Sequence, residues 1–343
     1  MEIHYGAEVE GYHLESILQV MSEILIEAKD LKKYFSIKRG VLRRTVGYIK
    51  AVDGVSLRIE RGKTLGVVGE TGSGKTTLGR MILRLLPADG GEVSFMGRDL
   101  FSLGRSEMKD LRREMQIIFQ DPYGSLNPRM RVSEIIAEGM NNFRVGTRKE
   151  IADRVAELLE IVGLPPESGR SYPHEFSGGQ RQRIGIARAI ALNPGFILCD
   201  EPVSSLDVSI QAQILNLLMD LQDRLGMAYL LIAHDLSVVE HISDRVAVMY
   251  LGRIVEEASN RDLYRNPVHP YTRALMDSIP VPDPASPPPG VGLEIDDPTG
   301  PTVESGCLFY PRCPRRTDQC RLTVPELKEI APGHSVACLN LSE

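Results

Sequence analysis

The stretch Gly69–Thr76, which reads Gly-Glu-Thr-Gly-Ser-Gly-Lys-Thr, has the residue types of a loop that binds phosphate. Its glycines let the backbone curl until successive N–H groups point inward at phosphate oxygens. Lys75 can reach the β- and γ-phosphates, and the Thr76 hydroxyl can bind Mg²⁺. A buried strand pattern at 63–68 and a helical pattern at 77–86 flank the loop, which disfavours a simple surface turn. The stretch therefore predicts a nucleoside triphosphate site.

Two carboxylates follow a second buried strand pattern, Phe196–Cys199. Asp200 could hold Mg²⁺ through water, and Glu201 could polarise the water that attacks a phosphate. Either residue alone would be interpreted as an acidic turn after a strand. The phosphate loop upstream in the same chain favours the catalytic interpretation.

Gln120 and His234 each follow a short strand pattern, at 115–119 and 230–233 respectively. Both positions are ones where the end of a strand delivers a polar side chain to a site. Taken alone, each residue would more often be an ordinary surface or core side chain. Their value as candidates depends on the motifs around them.

A second segment that could grip phosphate is Ser177-Gly178-Gly179-Gln180, which precedes a helical pattern from Arg181 to Leu192. A hydroxyl, backbone amides and the start of a helix would meet there. One ATP molecule has too few free faces for this segment and the loop around Lys75 to be redundant. We therefore expect the two segments to have different tasks.

The composition of the 343 residues is that of an ordinary globular protein, with 42% hydrophobic and 25% charged residues. No apolar run approaches the roughly 18 residues of a membrane span, so any membrane role is expected to come from a partner. With a net charge of −6, the protein as a whole has no excess of positive charge that would attract nucleic acid. Residues 1–20 lack the pattern of a secretion signal, and we expect an intracellular protein in which this segment is an extension.

The order of the elements predicts an α/β fold. Strand patterns at Ile24–Leu31 and Gly54–Glu60 precede the phosphate loop, and a helical, charge-rich region follows from about Ser106 to Ser171. The alternation of strand and helix patterns that is typical of parallel βαβ units resumes at Phe196–Cys199 and continues to Ala233. We therefore predict a P-loop core with a β-rich N-terminal subdomain and an inserted helical subdomain. A proline-rich segment at 280–290 is expected to link this unit to a small C-terminal one.

These motifs, in this order, resemble those of the ATP-binding subunits of ABC transporters over about Ile24–Ser278. The matching segments are Gly69–Thr76 for Walker A, Gln120 for the Q-loop, Ser177–Gln180 for the signature, Asp200 and Glu201 for Walker B, Ser204–Asp207 for the D-loop, and His234 for the switch histidine. The resemblance implies a head-to-tail dimer in which Walker A of one subunit and the signature of the other enclose ATP.

The resemblance also implies roles for individual residues. Glu201 would assist the attacking water, with Gln120 and His234 as further catalytic residues, and Thr76, Gln120 and Asp200 would hold Mg²⁺. Asp207 would act in the D-loop. Tyr34 would stack on adenine, although Tyr48 is a rival and Tyr34 could be a core residue. The implied nucleotide contacts are Tyr34, Gly69, Thr71, Gly72, Ser73, Gly74, Lys75, Thr76, Thr77 and Asp200.

The C-terminal region narrows the resemblance to the ATPases of peptide importers. Arg265–Leu275 resembles a segment of their dipeptide and oligopeptide members, and the residues after Gln120 and Glu201 resemble the F-type ATPase of the pair that these importers use. The implied partners are a D-type ATPase, two membrane permease subunits and, indirectly, an external binding protein, with no nucleic acid. The chain would lie at the cytoplasmic face of the membrane. Three parts of the chain are expected. They are an N-terminal extension at 1–22, an ABC nucleotide-binding domain at 23–262 with a helical subdomain at about 106–190, and a C-terminal extension of the peptide-importer type at 263–343.

Four of the five cysteines lie near the end of the chain, at Cys307, Cys313, Cys320 and Cys338, whereas Cys199 is expected in the core. Such clustering in an intracellular chain favours metal or cluster ligation over disulfides. The spacings lack paired C-x-x-C zinc knuckles, and four thiolates suit an iron–sulfur cube; zinc and unligated thiols stay as alternatives. In the peptide-importer ATPases that this region resembles, the four cysteines hold a [4Fe-4S] cluster.

Two other function classes are compatible with a nucleotide clamp. The first is a soluble ABC ATPase that acts on DNA or ribosomes, but such proteins usually carry two nucleotide domains or long coiled-coil insertions, and neither occurs in this sequence. The second is a structural protein that does not hydrolyse ATP, which the presence of Lys75, Asp200, Glu201 and His234 disfavours. The C-terminal segment favours transport.

Overall fold

The computed structural model describes residues 24–40, 44–278 and 305–341. The predicted extension at 1–22 and the proline-rich segment at 280–290 lie outside the described residues. The described chain forms two sheets with helices between and around them. This arrangement confirms the predicted mixed α/β architecture.

An antiparallel sheet of four strands contains the N-terminal part of the chain, in the order β2-β1-β4-β5. Its strands are β1 Ile24–Arg39, β2 Arg44–Glu60, β4 Gly90–Phe95 and β5 Arg98–Asp99. The first two are much longer than the sequence patterns indicated, because the ladder between them continues outward to the pair Arg39 and Arg44. The outer part of this hairpin is exposed, so hydrophobic alternation does not mark it.

The main sheet has eight strands in the order β11-β12-β10-β9-β3-β8-β7-β6. The core strands are β3 Thr64–Val68, β6 Met115–Ile118, β7 Phe196–Asp200, β8 Ala228–Ala233, β9 Arg245–Tyr250 and β10 Arg253–Ser259, and the tail contributes β11 Lys328–Ala331 and β12 His334–Val336. Pairs β3 with β8, β3 with β9, β7 with β8, and β6 with β7 are parallel. Because parallel strands end at one edge, the segments after β3, β6, β7 and β8 meet there.

Helix α1, Lys75–Ile82, follows the phosphate loop and packs on β7 and β8. It is shorter than the predicted 77–86, because Arg84 adopts a left-handed φ of 51° and the N–H groups of Leu85 and Leu86 turn back to the Arg80 carbonyl. A Cβ at Gly79 would lie 2.8 Å from Leu198 Cδ1 and 2.9 Å from Ile232 Cδ1. Close contact between helix and sheet therefore requires glycine at this position.

The predicted helical subdomain is confirmed as helices that lie between β5 and β7. They are α2 Arg105–Leu111, α3 Pro122–Ser125, α4 Val132–Phe143, α5 Arg148–Ile161 and α6 Gly178–Ile190. Helix α5 begins with a capping box in which Thr147 and Glu150 satisfy each other's backbone N–H groups. Strand β6 lies within the predicted range of about 106–190 but belongs to the main sheet.

The second half of the chain adds α7 Val208–Leu225, α8 Leu236–Ile242, α9 Asn260–Arg265, α10 Pro270–Asp277 and α11 Asp318–Leu322. Among the helices of the described ranges, none has the length and apolar character needed to cross a bilayer. The cysteine-rich tail, 305–341, continues the main sheet, since β12 pairs with β10. Its Phe309 is 1% exposed and belongs to the core.

One buried carboxylate joins the tail to the core. Glu256 of β10 is 0% exposed and accepts hydrogen bonds from the N–H groups of Val268 and His269. Its third partner is His334 Nε2 of β12, at 2.8 Å. Because a buried charge is tolerated only when it has such partners, Glu256 holds the tail strand and the segment before α10 in one place.

We predict that Gly79→Ala lowers the free energy of unfolding by about 1–3 kcal/mol, because overpacking against Leu198 and Ile232 exceeds the gain in helix propensity of about 1 kcal/mol. The matched control is Gly185→Ala in α6, whose Cβ would meet nothing within 4 Å. That variant is expected to gain about 0.5–1 kcal/mol. Urea unfolding of both variants measures the difference, and a Gly79→Ala midpoint at or above that of the parent would contradict the packing argument.

Candidate nucleotide site

The phosphate loop is pressed against the protein on its outer side. Gly69 has φ 151° and Gly74 has φ 107°, both in the region that favours glycine. A Cβ at Gly69 would lie 2.1 Å from Met249 O, and one at Gly74 would lie 1.9 Å from Ala51 O. The backbone of β2 and the end of β9 thus support the loop from behind, and its inner side stays available for phosphate.

Lys75 is buried within the loop at 4% exposure. Its Nζ donates to the carbonyls of Gly69 at 2.7 Å and Glu70 at 2.9 Å. Burial lowers the pKa of Lys75, and the carboxylates of Glu201, Asp200 and Glu70 oppose that shift. The structure therefore places a cation at the centre of the predicted phosphate site.

Thr76 and Asp200, two of the three predicted Mg²⁺ ligands, are in direct contact. The Thr76 hydroxyl donates to Asp200 Oδ1 at 2.8 Å, where α1 begins and β7 ends. Burial raises the pKa of Asp200, and the hydrogen bond from Thr76 counteracts the rise. A hydroxyl and a carboxylate are hard oxygen ligands of the kind that Mg²⁺ prefers, so this pair fits the predicted metal.

The three predicted catalytic residues meet at one carboxylate oxygen. Gln120 Nε2 donates to Glu201 Oε2 at 2.9 Å, and His234 Nδ1 lies 3.2 Å from the same atom. The side chain of Gln120 thus contacts Glu201, the predicted base, while the predicted metal pair lies beside it. Glu201 has a φ of 47°, and its N–H donates to Ile232 O. Such strain at a non-glycine residue is a feature of functional sites.

The signature segment forms the start of α6. Ser177 Oγ accepts from the N–H of Gln180, and Gln180 Oε1 accepts from the N–H of Ser177, which completes a capping box. Gly179 approaches α7 closely, since a Cβ there would lie 2.5 Å from Ile210 Cγ2. Ser177 and Gln180 are exposed, and these bonds keep their side chains at the helix start.

The D-loop residue Asp207 precedes α7 and is exposed. The N–H groups of Ile210 and Gln211 donate to its carbonyl. Gln211 Nε2 holds the turn before it, through the carbonyls of Val203 and Leu206. The carboxylate of Asp207 is thereby presented at the surface, next to the signature segment on α6.

Tyr34 lies in the sheet that contains β1 and donates its phenol to Asp53 Oδ1 at 2.5 Å. Asp53 also forms an ion pair with Arg253 at 2.7 Å. Burial, followed by the contact with Asp53, raises the pKa of Tyr34 to about 12. The rival Tyr48 is 64% exposed on the outer hairpin. Stacking of Tyr34 on adenine stays a prediction.

The four cysteines of the tail are free thiols, of which Cys313 and Cys320 are buried and Cys307 and Cys338 are partly buried. The N–H of Cys307 donates to Cys320 O at 2.8 Å. Burial raises the pKa of Cys307, and the neighbouring thiols of Cys320, Cys313 and Cys338 raise it further. Within residues 24–40, 44–278 and 305–341, however, no group of three or more His, Cys, Asp or Glu is arranged to hold a metal ion. Cys199 is fully buried in β7, as predicted.

Sequence reasoning missed three residues at the back of the loop. Glu70 forms a two-point ion pair with Arg312 of the tail, at 2.8 and 2.9 Å. The N–H of Glu70 donates to the hydroxyl of Tyr271 in α10 at 2.8 Å. These partners are 201 and 242 positions away along the chain, and no local pattern in the sequence indicated the pairing.

Comparison with known proteins agrees with this geometry. Residues 52–204 match the family described as ABC transporter, and residues 255–320 match the oligopeptide/dipeptide transporter, C-terminal region. A Brucella ovis protein named for ATP binding in peptide import is 52% identical, over 92% of this chain and 97% of its own length. The chain belongs to the ATP-binding proteins of the ABC transporter family.

Further similarities extend over most of this ABC protein. The oligopeptide transport ATP-binding protein AppF of Bacillus subtilis is 49% identical, over 92% of this chain and 97% of AppF. Among solved structures, the dimeric ATP-binding cassette MJ0796 bound to ADP and Pi is 28% identical with a TM-score of 0.62, over 69% of this chain and 99% of that one. CbiO1 of Clostridium perfringens is 25% identical with a TM-score of 0.62, over 71% of this chain and 92% of that one.

We expect Gly74→Ala to weaken ATP binding by about tenfold or more, because a left-handed backbone costs a non-glycine residue about 1–2 kcal/mol and the new Cβ also collides with Ala51 O. Gly72→Ala is the matched control, since Gly72 has φ 84° but a Cβ there would meet nothing within 4 Å. The Gly72→Ala variant is expected to lose less affinity for ATP. Equilibrium titration with a fluorescent ATP analogue compares them, and equal losses would show that the contact with Ala51 is not what shapes the loop.

Proposed function

We propose that this chain hydrolyses ATP to power the import of peptides through a membrane permease. The observation that carries the proposal is the convergence of Gln120, Glu201 and His234 on one oxygen, beside the loop that surrounds Lys75. The match of residues 255–320 to the C-terminal region of oligopeptide and dipeptide transporters supports peptides as the cargo.

Different residues of the site would bind the triphosphate, activate the attacking water and hold Mg²⁺. Lys75 and the loop N–H groups would bind the triphosphate, and Glu201 would orient and deprotonate the water that attacks the γ-phosphorus. Gln120 and His234 hold the carboxylate of Glu201 in place, and His234 would also contact the γ-phosphate. Mg²⁺, held by Thr76, Asp200 and Gln120, would neutralise charge on the β- and γ-phosphate oxygens.

We propose that a second ATPase subunit completes the site with its own signature segment. Ser177 and Gln180 are exposed and bond to each other at the start of α6, so their side chains are presented outward. Val208, next to Asp207 at the start of α7, is 81% exposed and could be covered by such a subunit. The similar cassette MJ0796 was solved as a dimer.

The F-type resemblance favours a paralogous D-type ATPase as that second subunit. Two permease subunits would dock the pair at the cytoplasmic face of the membrane, and an external binding protein would supply the peptide. The groove beside Gln120 and Tyr123 would receive the permease. A soluble ABC ATPase that acts on nucleic acid or ribosomes is the alternative, and the net charge of −6 and the peptide-transporter region argue against it.

For the tail, we propose that Cys307, Cys313, Cys320 and Cys338 bind a [4Fe-4S] cluster. The proposal is supported by four free thiols in one tail segment, where the N–H of Cys307 donates to Cys320 O and the other three thiols all raise the pKa of Cys307. Soft thiolate ligands suit iron–sulfur clusters and zinc alike. Burial raises the pKa values of Cys307, Cys313 and Cys338, so binding would have to deprotonate these thiols, and the positive charge of the ligand would drive that deprotonation.

Glu201→Gln is predicted to lower kcat for ATP hydrolysis by about 100-fold or more, since general-base catalysis contributes about 10²–10⁴-fold. ATP affinity should stay within about twofold, because the amide keeps the hydrogen-bonded framework. The matched control is Glu160→Gln, an exposed position on α5, which should leave kcat unchanged. Full turnover by Glu201→Gln would remove Glu201 from the role of base.

The transport role is tested by purification of the tagged chain from native cells, prepared without oxygen in mild detergent. We expect a D-type ATPase and permease subunits to co-purify, and the chain to leave the membrane fraction when the permease genes are deleted. Unchanged fractionation without the permease, or co-purification with ribosomes, would favour the alternative. Iron and acid-labile sulfide measured in the same sample test the cluster, and zinc alone, or no metal, would overturn it.

A further inference from the structure

The phosphate loop contains an acid, Glu70, at a place where negative charge opposes the binding of a triphosphate. Its carboxylate acts on the buried Lys75 ammonium, whose protonated form it favours. An uncompensated carboxylate here would repel phosphate oxygens in the same way. The loop therefore needs a cation from elsewhere in the protein.

Arg312 of the cysteine-rich tail supplies that cation. Its Nη1 and Nη2 donate to the two oxygens of Glu70 at 2.9 and 2.8 Å, the fork geometry in which guanidinium and carboxylate match best. The side chain of Arg312 is 16% exposed and that of Glu70 is 41% exposed, so solvent reaches the carboxylate and screens the pair in part. Hydrogen bonds from Arg312 to Glu70 are also the largest cause of the raised pKa of this guanidinium.

The tail holds Arg312 in a fixed position behind the loop. The short turn Tyr310–Arg312 follows Phe309, which packs against Tyr250 and Tyr271 with ring centroids 5.3 and 5.5 Å apart. The guanidinium lies over the rings of Tyr250 and Phe309, at 5.9 and 5.8 Å. Aromatic rings of core residues thus orient the arginine toward Glu70.

Glu70 is bound at three points, and one of them leads to the lysine of the site. Arg312 holds its carboxylate, the Tyr271 hydroxyl accepts from its N–H, and its carbonyl accepts from Lys75 Nζ at 2.9 Å. The carboxylate and the N–H are therefore occupied at the back of the loop. A chain of contacts runs from the tail through Glu70 to Lys75.

We propose that Arg312 is a positioning residue for ATP in the same chain: it neutralises Glu70 and fixes the loop segment that orients Lys75. The C-terminal tail is then a part of the nucleotide site in addition to any ligand that its cysteines hold. This inference rests on ATP being the ligand of the loop, and it concerns how tightly ATP binds. It makes no use of the cysteine ligand.

The test is a double-mutant cycle in the full chain, with KM for ATP and kcat measured together. Arg312→Gln leaves Glu70 without its cation and is expected to raise KM about tenfold, with kcat within about twofold. Glu70→Gln removes the repelling charge together with the two-point contact to Arg312, and it is expected to change KM by no more than about twofold. The double variant should return to the level of Glu70→Gln, and higher salt should reduce the defect of Arg312→Gln.

If Arg312 only stabilised the fold, the measurements of KM, salt dependence and melting temperature would differ from these expectations. In that case Arg312→Gln would lower the melting temperature, the KM effects would multiply in the double variant, and salt would not correct them; this outcome overturns the proposal. Arg321→Gln, which removes the same charge from exposed α11, is the matched control and should change neither parameter. If Arg312→Gln does not fold, Arg312→Lys, which keeps the charge and loses the fork, must raise KM by less than tenfold.

Failure of this inference and failure of the proposed function are distinguishable. If the unmodified chain binds Mg-ATP and Arg312→Gln binds it equally well, the inference is wrong and the ATPase function stands. If the unmodified chain does not bind Mg-ATP, both are wrong.

Discussion

The nucleotide site depends on close packing around the backbone of the loop Gly69–Thr76. Between β3 and α1 the chain passes so close to Ala51 O and Met249 O that glycine is required at positions 74 and 69. With its outer side packed in this way, and with the N–H of Glu70 bonded to the Tyr271 hydroxyl, the loop leaves only its inner side, around Lys75, for phosphate. A preorganised array of donors around a buried cation binds phosphate without having to rearrange, and the surrounding elements can be understood as its support.

That support comes from distant parts of the chain. The N-terminal sheet contributes Ala51, the main sheet contributes Met249, and the segment after the proline-rich region contributes Arg312, while Tyr271 comes from α10. The buried Glu256 with His334, and the pairing of β12 with β10, hold the tail against the main sheet. The region that matches the C-terminal region of oligopeptide and dipeptide transporters is thus in physical contact with the predicted phosphate loop, through Glu70.

Much of the site could be predicted from sequence because its chemistry is local. Gly69–Thr76, Ser177–Gln180, and Asp200 with Glu201 each carry their function in adjacent residues, and the common edge of parallel strands explains why Gln120 and His234 join them. Contacts that depend on tertiary packing could not be predicted in this way. The ion pair between Glu70 and Arg312 joins residues 242 positions apart, and in the sequence each of them is an ordinary charged residue.

Differences in the fold have equally physical reasons. The hairpin of β1 and β2 extends beyond its hydrophobic part because ladder hydrogen bonds, which leave no trace in side-chain patterns, continue to its tip. Helix α1 ends four residues early because Arg84 turns left-handed, although Leu85 and Leu86 continue the apolar pattern. Hydrophobic periodicity located both elements correctly and could not determine their ends.

The central claim is that the loop around Lys75 binds the β- and γ-phosphates of ATP with Mg²⁺ at Thr76 and Asp200. Calorimetric titration of the purified chain with ATP and with AMP, each with and without Mg²⁺, tests it most directly. The account predicts Mg²⁺-dependent binding of ATP and at least about tenfold weaker binding of AMP, since AMP lacks both phosphates that Lys75 is expected to contact. Equal affinity for AMP and ATP, or binding of ATP that is indifferent to Mg²⁺, would contradict it.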